Sequence, residues 1–142
     1  MRESDEDGQL PPCKIALETK PDYILCTCEG VLDGPALLDL AEKSLRNRLD
    51  HNLNGILADI RKSTSELSMY DAVQFGECLA ELASPAMRGR IAIVHDHRGE
   101  AAARLFETAL INRSFTVRLF SDSKAAASWF TGKIDQDPAG RQ

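Results

Sequence analysis

The chain has no apolar run approaching the ~20 residues needed to cross a bilayer, which argues against a membrane span. It also has no surplus of basic charge: the formal net charge is −5 over 142 residues. Four acids and one arginine put −3 into the first ten residues, which leaves −2 for the remainder. A body so close to neutral lacks the positive footprint of a nucleic-acid binder, so no nucleic-acid partner is expected. There is no Gly-x-Gly-x-x-Gly, Walker loop, Gly-x-Ser-x-Gly or His-Glu-x-x-His, so no motif points to a dinucleotide, a nucleoside triphosphate, a serine hydrolase or a zinc protease. The four cysteines, Cys13, Cys26, Cys28 and Cys78, form no Cys-x-x-Cys pair. The segment Met1 to Asp7 is acidic and polar, the opposite of a signal peptide. Reduced thiols in a cytoplasmic protein are therefore expected. No internal repeat or low-complexity block is present.

What remains is a globular composition, 43% hydrophobic and 27% charged, with length for one domain and one core. Residues 1–12 read as a disordered acidic leader, 13–132 as the domain and 133–142 as a polar tail. Lys14 to Thr19 alternates as an edge strand, and Lys20-Pro21-Asp22 turns it into a second strand, Tyr23 to Glu29, which Gly30 ends. Asp33-Gly34-Pro35 opens a helix with Asp33 as N-cap, and Leu38, Ala41, Leu45 and Leu49 repeat at helical spacing. Ile56 to Ile60 is apolar on both faces except at Asp59, as for a central parallel strand. A polar loop, Arg61 to Leu67, leads to Ser68, which with Asp71 makes a capping-box start for a helix striped by Ala72, Phe75, Gly76 and Leu79. Ile91 to Val94 is a fourth strand. A third helix, Gly99 to Arg113, turns Ala102, Leu105, Phe106, Ala109 and Leu110 to the core. Thr116 to Phe120 is a fifth strand, and Asp122 caps a last helix holding Ala126, Trp129 and Phe130. Strands separated by single helices predict an α/β fold: one mixed five-stranded sheet, mostly parallel with an antiparallel first strand, and about four helices.

These residues resemble the STAS-like superfamily, the fold of anti-sigma-factor antagonists and of bacterial STAS/SEC14-like domains. The resemblance spans about residues 14–131. It rests on Tyr23 to Gly30 with Leu32-Asp33, on Ile56 to Arg61, on Arg90 to Val94, and on Val117 to Phe120 with Asp122, Ala126, Trp129 and Phe130. It implies a sheet in sequential strand order and a regulatory or protein-interaction role without catalysis. In the phosphorylated antagonists a serine opens the helix after the third strand. The corresponding residue here is Ser68, in Glu66-Leu67-Ser68-Met69-Tyr70, which lacks the family's adjacent acid and following glycine.

Six residues stand out as ligand- or partner-binding candidates: Asp59, Arg61, Ser68, His95, His97 and Arg98. Asp59 and Arg61 lie at the carboxyl end of a central strand, where ligands gather in open α/β sheets. His95, His97 and Arg98 precede a helix start that favours anions. Ser68 is the phosphorylation candidate, although its hydroxyl is also what a helix cap requires. Cys26, Cys28, His95 and His97 add up to a Cys₂His₂ set. The second and fourth strands of a sequential sheet are about 9.6 Å apart, too far for four ligands to meet one zinc ion. No metal and no cofactor is expected. Three functions come into view, in this order: a bacterial cytoplasmic protein-interaction domain, a carrier of a small hydrophobic ligand or lipid of CRAL-TRIO-like kind, and an enzyme resting on Asp59, His95 and His97. The carrier requires an apolar cavity of about 300 Å³ beneath the last helix. An uncovered sheet face or edge also allows a homodimer.

Overall fold

The computed structural model describes residues 13–131, so the leader and tail expected at the two ends lie outside the described residues. The elements run β1 (Lys14–Thr19), β2 (Ile24–Leu32), α1 (Gly34–Asp50), β3 (Gly55–Ser65), α2 (Met69–Leu82), β4 (Arg90–Val94), α3 (Glu100–Ile111), β5 (Thr116–Phe120) and α4 (Ser123–Phe130). Short 3-10 turns, Pro85–Met87 and His97–Gly99, precede β4 and α3. The sheet order is β1-β2-β3-β4-β5, antiparallel only between β1 and β2. That is the mixed sheet with sequential strand order expected from the sequence.

Helices α1, α2 and α3 cover one face. Leu37, Leu40, Leu45, Phe75, Leu79, Phe106 and Leu110 pack there against Cys26, Cys28, Ile56, Ile60, Ile91 and Ile93. α4 covers part of the other face, where Ala126 and Trp129 bury Leu57, Ala92 and Val94. Phe130 stacks on Tyr23 with ring centroids 5.0 Å apart. Among the described residues, the space beneath the last helix is thus occupied by the Ala126, Trp129 and Phe130 side chains. Between the sheet and α1 to α3 lies a cavity of about 30 Å³, lined by Leu37, Ile56, Phe75, Ile91 and Phe106 among others.

Arginines fasten the end of the molecule at which the parallel strands begin. Arg88 donates from Nε to Ala83 O at 3.0 Å and from Nη2 to Ala80 O at 3.3 Å, and its Nη1 reaches Arg113 O. One guanidinium thereby satisfies the trailing carbonyls of α2 and the carbonyl after α3, groups that a helix end leaves without partners. Arg90 does the same for α4 through Trp129 O at 3.1 Å and lies over the Trp129 ring. Arg48, buried in the last turn of α1, donates to Met87 O.

Three local expectations need correction. Gly30 does not end β2: it takes φ 111, a left-handed conformation open to glycine, and the strand continues to Leu32. Arg61 to Ser65 is not a loop but the continuation of β3, paired from Lys62↔Glu29 to Ser65↔Leu32. The third correction is a rotation of α1. Its buried stripe is Leu37, Leu40, Ala41, Ser44, Leu45 and Arg48, while Leu38 is exposed. Ser44 tolerates burial because its hydroxyl donates to Leu40 O at 2.7 Å. Two polar residues on the inner face disguised the apolar stripe. On α3, likewise, Ala103 is buried with Phe106 and Leu110, and Ala102, Leu105 and Ala109 are only half-buried.

Gly55 lies beneath Phe130, where an added Cβ would strike the ring. Gly55→Val should therefore lift α4 and cost roughly 1–3 kcal/mol by overpacking. The check is denaturant unfolding together with a red shift in the emission of Trp129, the single tryptophan of the chain.

Candidate functional site

The candidate residues gather at the end of the sheet where the parallel strands finish. β3 and β4 pair from Gly55↔Arg90 to Asp59↔Val94, and there β4 stops. β3 continues past it because β2 does. Between Thr27 and Glu29 the register slips, so that Thr27 faces Asp59 and Glu29 faces Lys62. β3 absorbs one extra residue in this bulge, and Ser63 Oγ closes it by donating to Ile60 O at 2.8 Å.

Asp59 sits at this step, half-buried. Its Oδ1 accepts from Arg61 Nε at 3.0 Å and from the Arg61 backbone N–H at 3.1 Å, and its Oδ2 accepts from Arg61 Nη2 at 2.8 Å. Burial pushes the Asp59 carboxyl up, but the hydrogen bonds and charge of Arg61 outweigh it and hold the group below its ordinary value. Arg61 in turn is pushed up, chiefly by its bonds to Asp59, with Asp122 and Asp96 adding to the effect. The carboxylate is thereby committed to a fork-like arginine pair.

The segment after β4 completes the rim. Asp96 accepts from Gly99 N–H at 3.1 Å and from Arg98 Nε and Nη2 at 3.2 and 3.0 Å. The bonds from Arg98 hold the Asp96 carboxyl below its ordinary value. Arg98 Nη2 also reaches Arg61 O at 3.5 Å, which joins the β4–α3 turn to the extension of β3. The ring of His95 bonds through Nδ1 to Asp96 O at 2.9 Å, and His97 is exposed on the 3-10 turn. Asp59, Arg61, His95 and Arg98 thus share one rim. Among the described residues, no hydrogen bond joins Asp59, His95 and His97 to one another.

Ser68 stands at the start of α2, beside the start of α1, where Asp71 Oδ1 lies 2.6 Å from the position a Cβ on Gly34 would take. It forms a reciprocal capping box: Asp71 N–H donates to Ser68 Oγ at 3.2 Å, and Ser68 N–H donates to Asp71 Oδ2 at 2.9 Å. The hydroxyl also donates to Asp71 Oδ2 at 3.1 Å. Just beyond, the outward side of α2 shows Met69 at 60%, Tyr70 at 69% and Val73 at 39% exposure. Sequence reasoning passed over this trio, although two large apolar side chains directly after an N-cap were the signal for it.

Cys26 and Cys28 face the core of α1 to α3, on the inner side of β2. Cys28 is pushed up by hydrogen bonding to Cys26 and by burial, and Cys13 is pushed up to about 11 by burial and by its neighbour Cys28. Shifts in this direction disfavour the thiolate, which is the nucleophilic form. Cys78 is half-buried and packs against the core, and burial pushes it up as well. Among the described residues no three His, Cys, Asp or Glu side chains gather as ligands for a metal ion.

No family model matches the chain, and no curated protein does. Solved structures do match. One is an uncharacterized protein of the DUF3478 family with a SpoIIAA-like fold from Shewanella loihica PV-4. It is 20% identical, with a TM-score of 0.54 over 83% of this chain and 93% of that one. Another is the anti-sigma factor antagonist SpoIIAA in its unphosphorylated form. It is 12% identical, with a TM-score of 0.52 over 84% of this chain and 97% of that one. The fold is therefore SpoIIAA-like, the STAS-like architecture that the sequence resembles.

Asp59 has a depressed folded-state pKa, so its pairing stabilises fully above the unfolded value of about 3.9 and is lost as pH falls through the folded value. The stability gap between wild type and Arg61→Gln in urea should be constant near pH 6 and close as the pH drops below about 4. Ser68→Ala should lower stability by about 1 kcal/mol through loss of the cap, measured in the same way.

Proposed function

We propose that this domain is a regulatory module that acts by binding another protein and performs no reaction of its own. The observation behind this reading is the exposed trio Met69, Tyr70 and Val73, set beside the rim of Asp59, Arg61, His95 and Arg98. Large apolar side chains exposed together on one face of a capped helix form a patch of the kind that marks interaction surfaces. Tyrosine, arginine and methionine are also the residue types enriched at interface centres. The likeness to an anti-sigma factor antagonist supports a regulatory role. Ser68 in this reading serves α2 as its cap. A phosphoryl group there would meet the Asp71 carboxylate already bonded to the serine, a like-charge contact that would open the capping box.

The loops that close the rim, together with Ser68, Arg61 and Arg98, form the remainder of the contact surface. The site is proposed to work in the cytoplasm of a bacterium.

The test compares wild type with Tyr70→Asp and Val73→Asp as baits in native lysate. Both substitutions lie on the surface and should change stability by no more than about 0.5 kcal/mol. Wild type should retain a protein in stoichiometric amount that both variants lose at unchanged Tm. Equal retention by all three baits would contradict the reading.

A further inference from the structure

The extension of β3 beyond β4 leaves a strand edge open. Ile60–Ser65 projects past the last β3–β4 pair, about 20 Å of chain. β2 covers one edge of this projection. On the other edge no strand lies beside it among the described residues. Two hydrogen bonds fix the directions of its backbone groups. Glu66 N–H points to β2, where it meets Leu32 O at 3.0 Å, and Arg61 O points the opposite way, to Arg98. Alternation along a strand then sends the N–H and C=O of Ser63 and Ser65 into the space that β4 leaves empty. That space is a notch of about 320 Å³ between the extension and the start of α3. Leu67, Ala102 and Leu105 give it an apolar floor, Gly99 and Ala101 keep its wall low, and Arg98 is the one charged residue lining it among the described residues. Arg98 binds Asp96 through Nε and Nη2, which leaves Nη1 directed elsewhere. Lys62 adds a second positive charge on the exposed side of the extension.

We propose that this notch binds an extended acidic segment of a partner protein, which adds to the open edge of β3 in the place β4 vacates. The proposal rests on the reading of this rim as a protein-contact surface and specifies the partner's chemistry. Main-chain hydrogen bonds to Ser63 and Ser65 hold the segment, and alternate side chains enter the floor at Leu67 and Leu105. A carboxylate on the segment meets Arg98, the complementary charge that sets direction and selectivity.

The test pans a displayed random-peptide library on the intact protein, with counter-selection on Ala102→Trp, which fills the notch. A selected peptide is then titrated into isotope-labelled protein and followed by backbone amide shifts. Enriched sequences should hold an acidic residue within a β-branched stretch, and shifts should centre on Ser63, Ser65 and residues 98–102. Methylating alternate peptide nitrogens should abolish binding. Arg98→Gln should weaken it about tenfold, and this exposed substitution keeps the test valid if Ala102→Trp does not fold. No enrichment, basic winners, shifts confined to Met69–Val73 or an unchanged affinity for Arg98→Gln would each overturn the proposal. A sedimentation dimer that dissociates on filling the notch would make a second copy the occupant and would equally overturn it. Peptide binding as stated, with equal lysate retention by the Tyr70 and Val73 variants, would remove the α2 surface alone. The reverse pair of results would remove the notch alone.

Discussion

A strand of eleven residues beside one of five cannot be paired along both edges. That mismatch between β3 and β4 is the constraint on which the candidate site depends. β2 keeps pace with β3 through a bulge and a left-handed Gly30, so the extension is anchored on one side. On the other side the chain turns away after Val94, and the Asp96–Arg98 pair bridges back to Arg61 O. An exposed edge usually invites unwanted pairing, and proteins blunt it with charge, bulges or cover. Here the bulge, Lys62 and the start of α3 do so in part, and a bounded notch remains instead of a bare edge.

The opposite end of the sheet is closed. Arg88 gathers the carbonyl ends of α2 and α3, Arg90 holds that of α4, and Arg48 crosses from α1 to Met87. Each of these guanidiniums serves backbone carbonyls, an arrangement suited to a fork of five donors. Burial lowers the pKa of Arg48, the expected direction for a cation taken out of water. With one end pinned in this way, the caps Asp33, Ser68 and Asp122 set the starts of α1, α2 and α4 at the rim.

Much of this was legible in the residues. Ile56 to Leu57 and Ile91 to Val94 announced buried strands through their apolar runs. Asp33, Ser68 and Asp122 announced helix starts, each standing just ahead of a stripe of apolar residues at helical spacing. The strand order was readable because single helices separate successive strands and because the pattern resembles a known fold. The extension of β3 was hidden, since Arg61-Lys62-Ser63-Thr64-Ser65 is polar and its inner side faces a notch rather than a core. Gly30 disguised the matching stretch of β2 by looking like a terminator, although Val31 and Leu32 beyond it hinted otherwise. The arginine bonds were out of reach of any local pattern, because they join residues far apart in the chain, such as Arg90 and Trp129. The rim residues were found one at a time. Their pairing, Asp59 with Arg61 and Asp96 with Arg98, is what makes the rim a charged frame.

The most direct test of this account is amide hydrogen exchange along the extension of β3, resolved residue by residue in the free protein. The amides of Lys62 and Thr64, turned toward β2, should be protected, while those of Ser63 and Ser65, turned into the notch, should exchange quickly. Uniform protection from Arg61 to Ser65 would mean that the edge is already covered, and uniform rapid exchange would mean that the extension is not a strand. Either result would contradict the account.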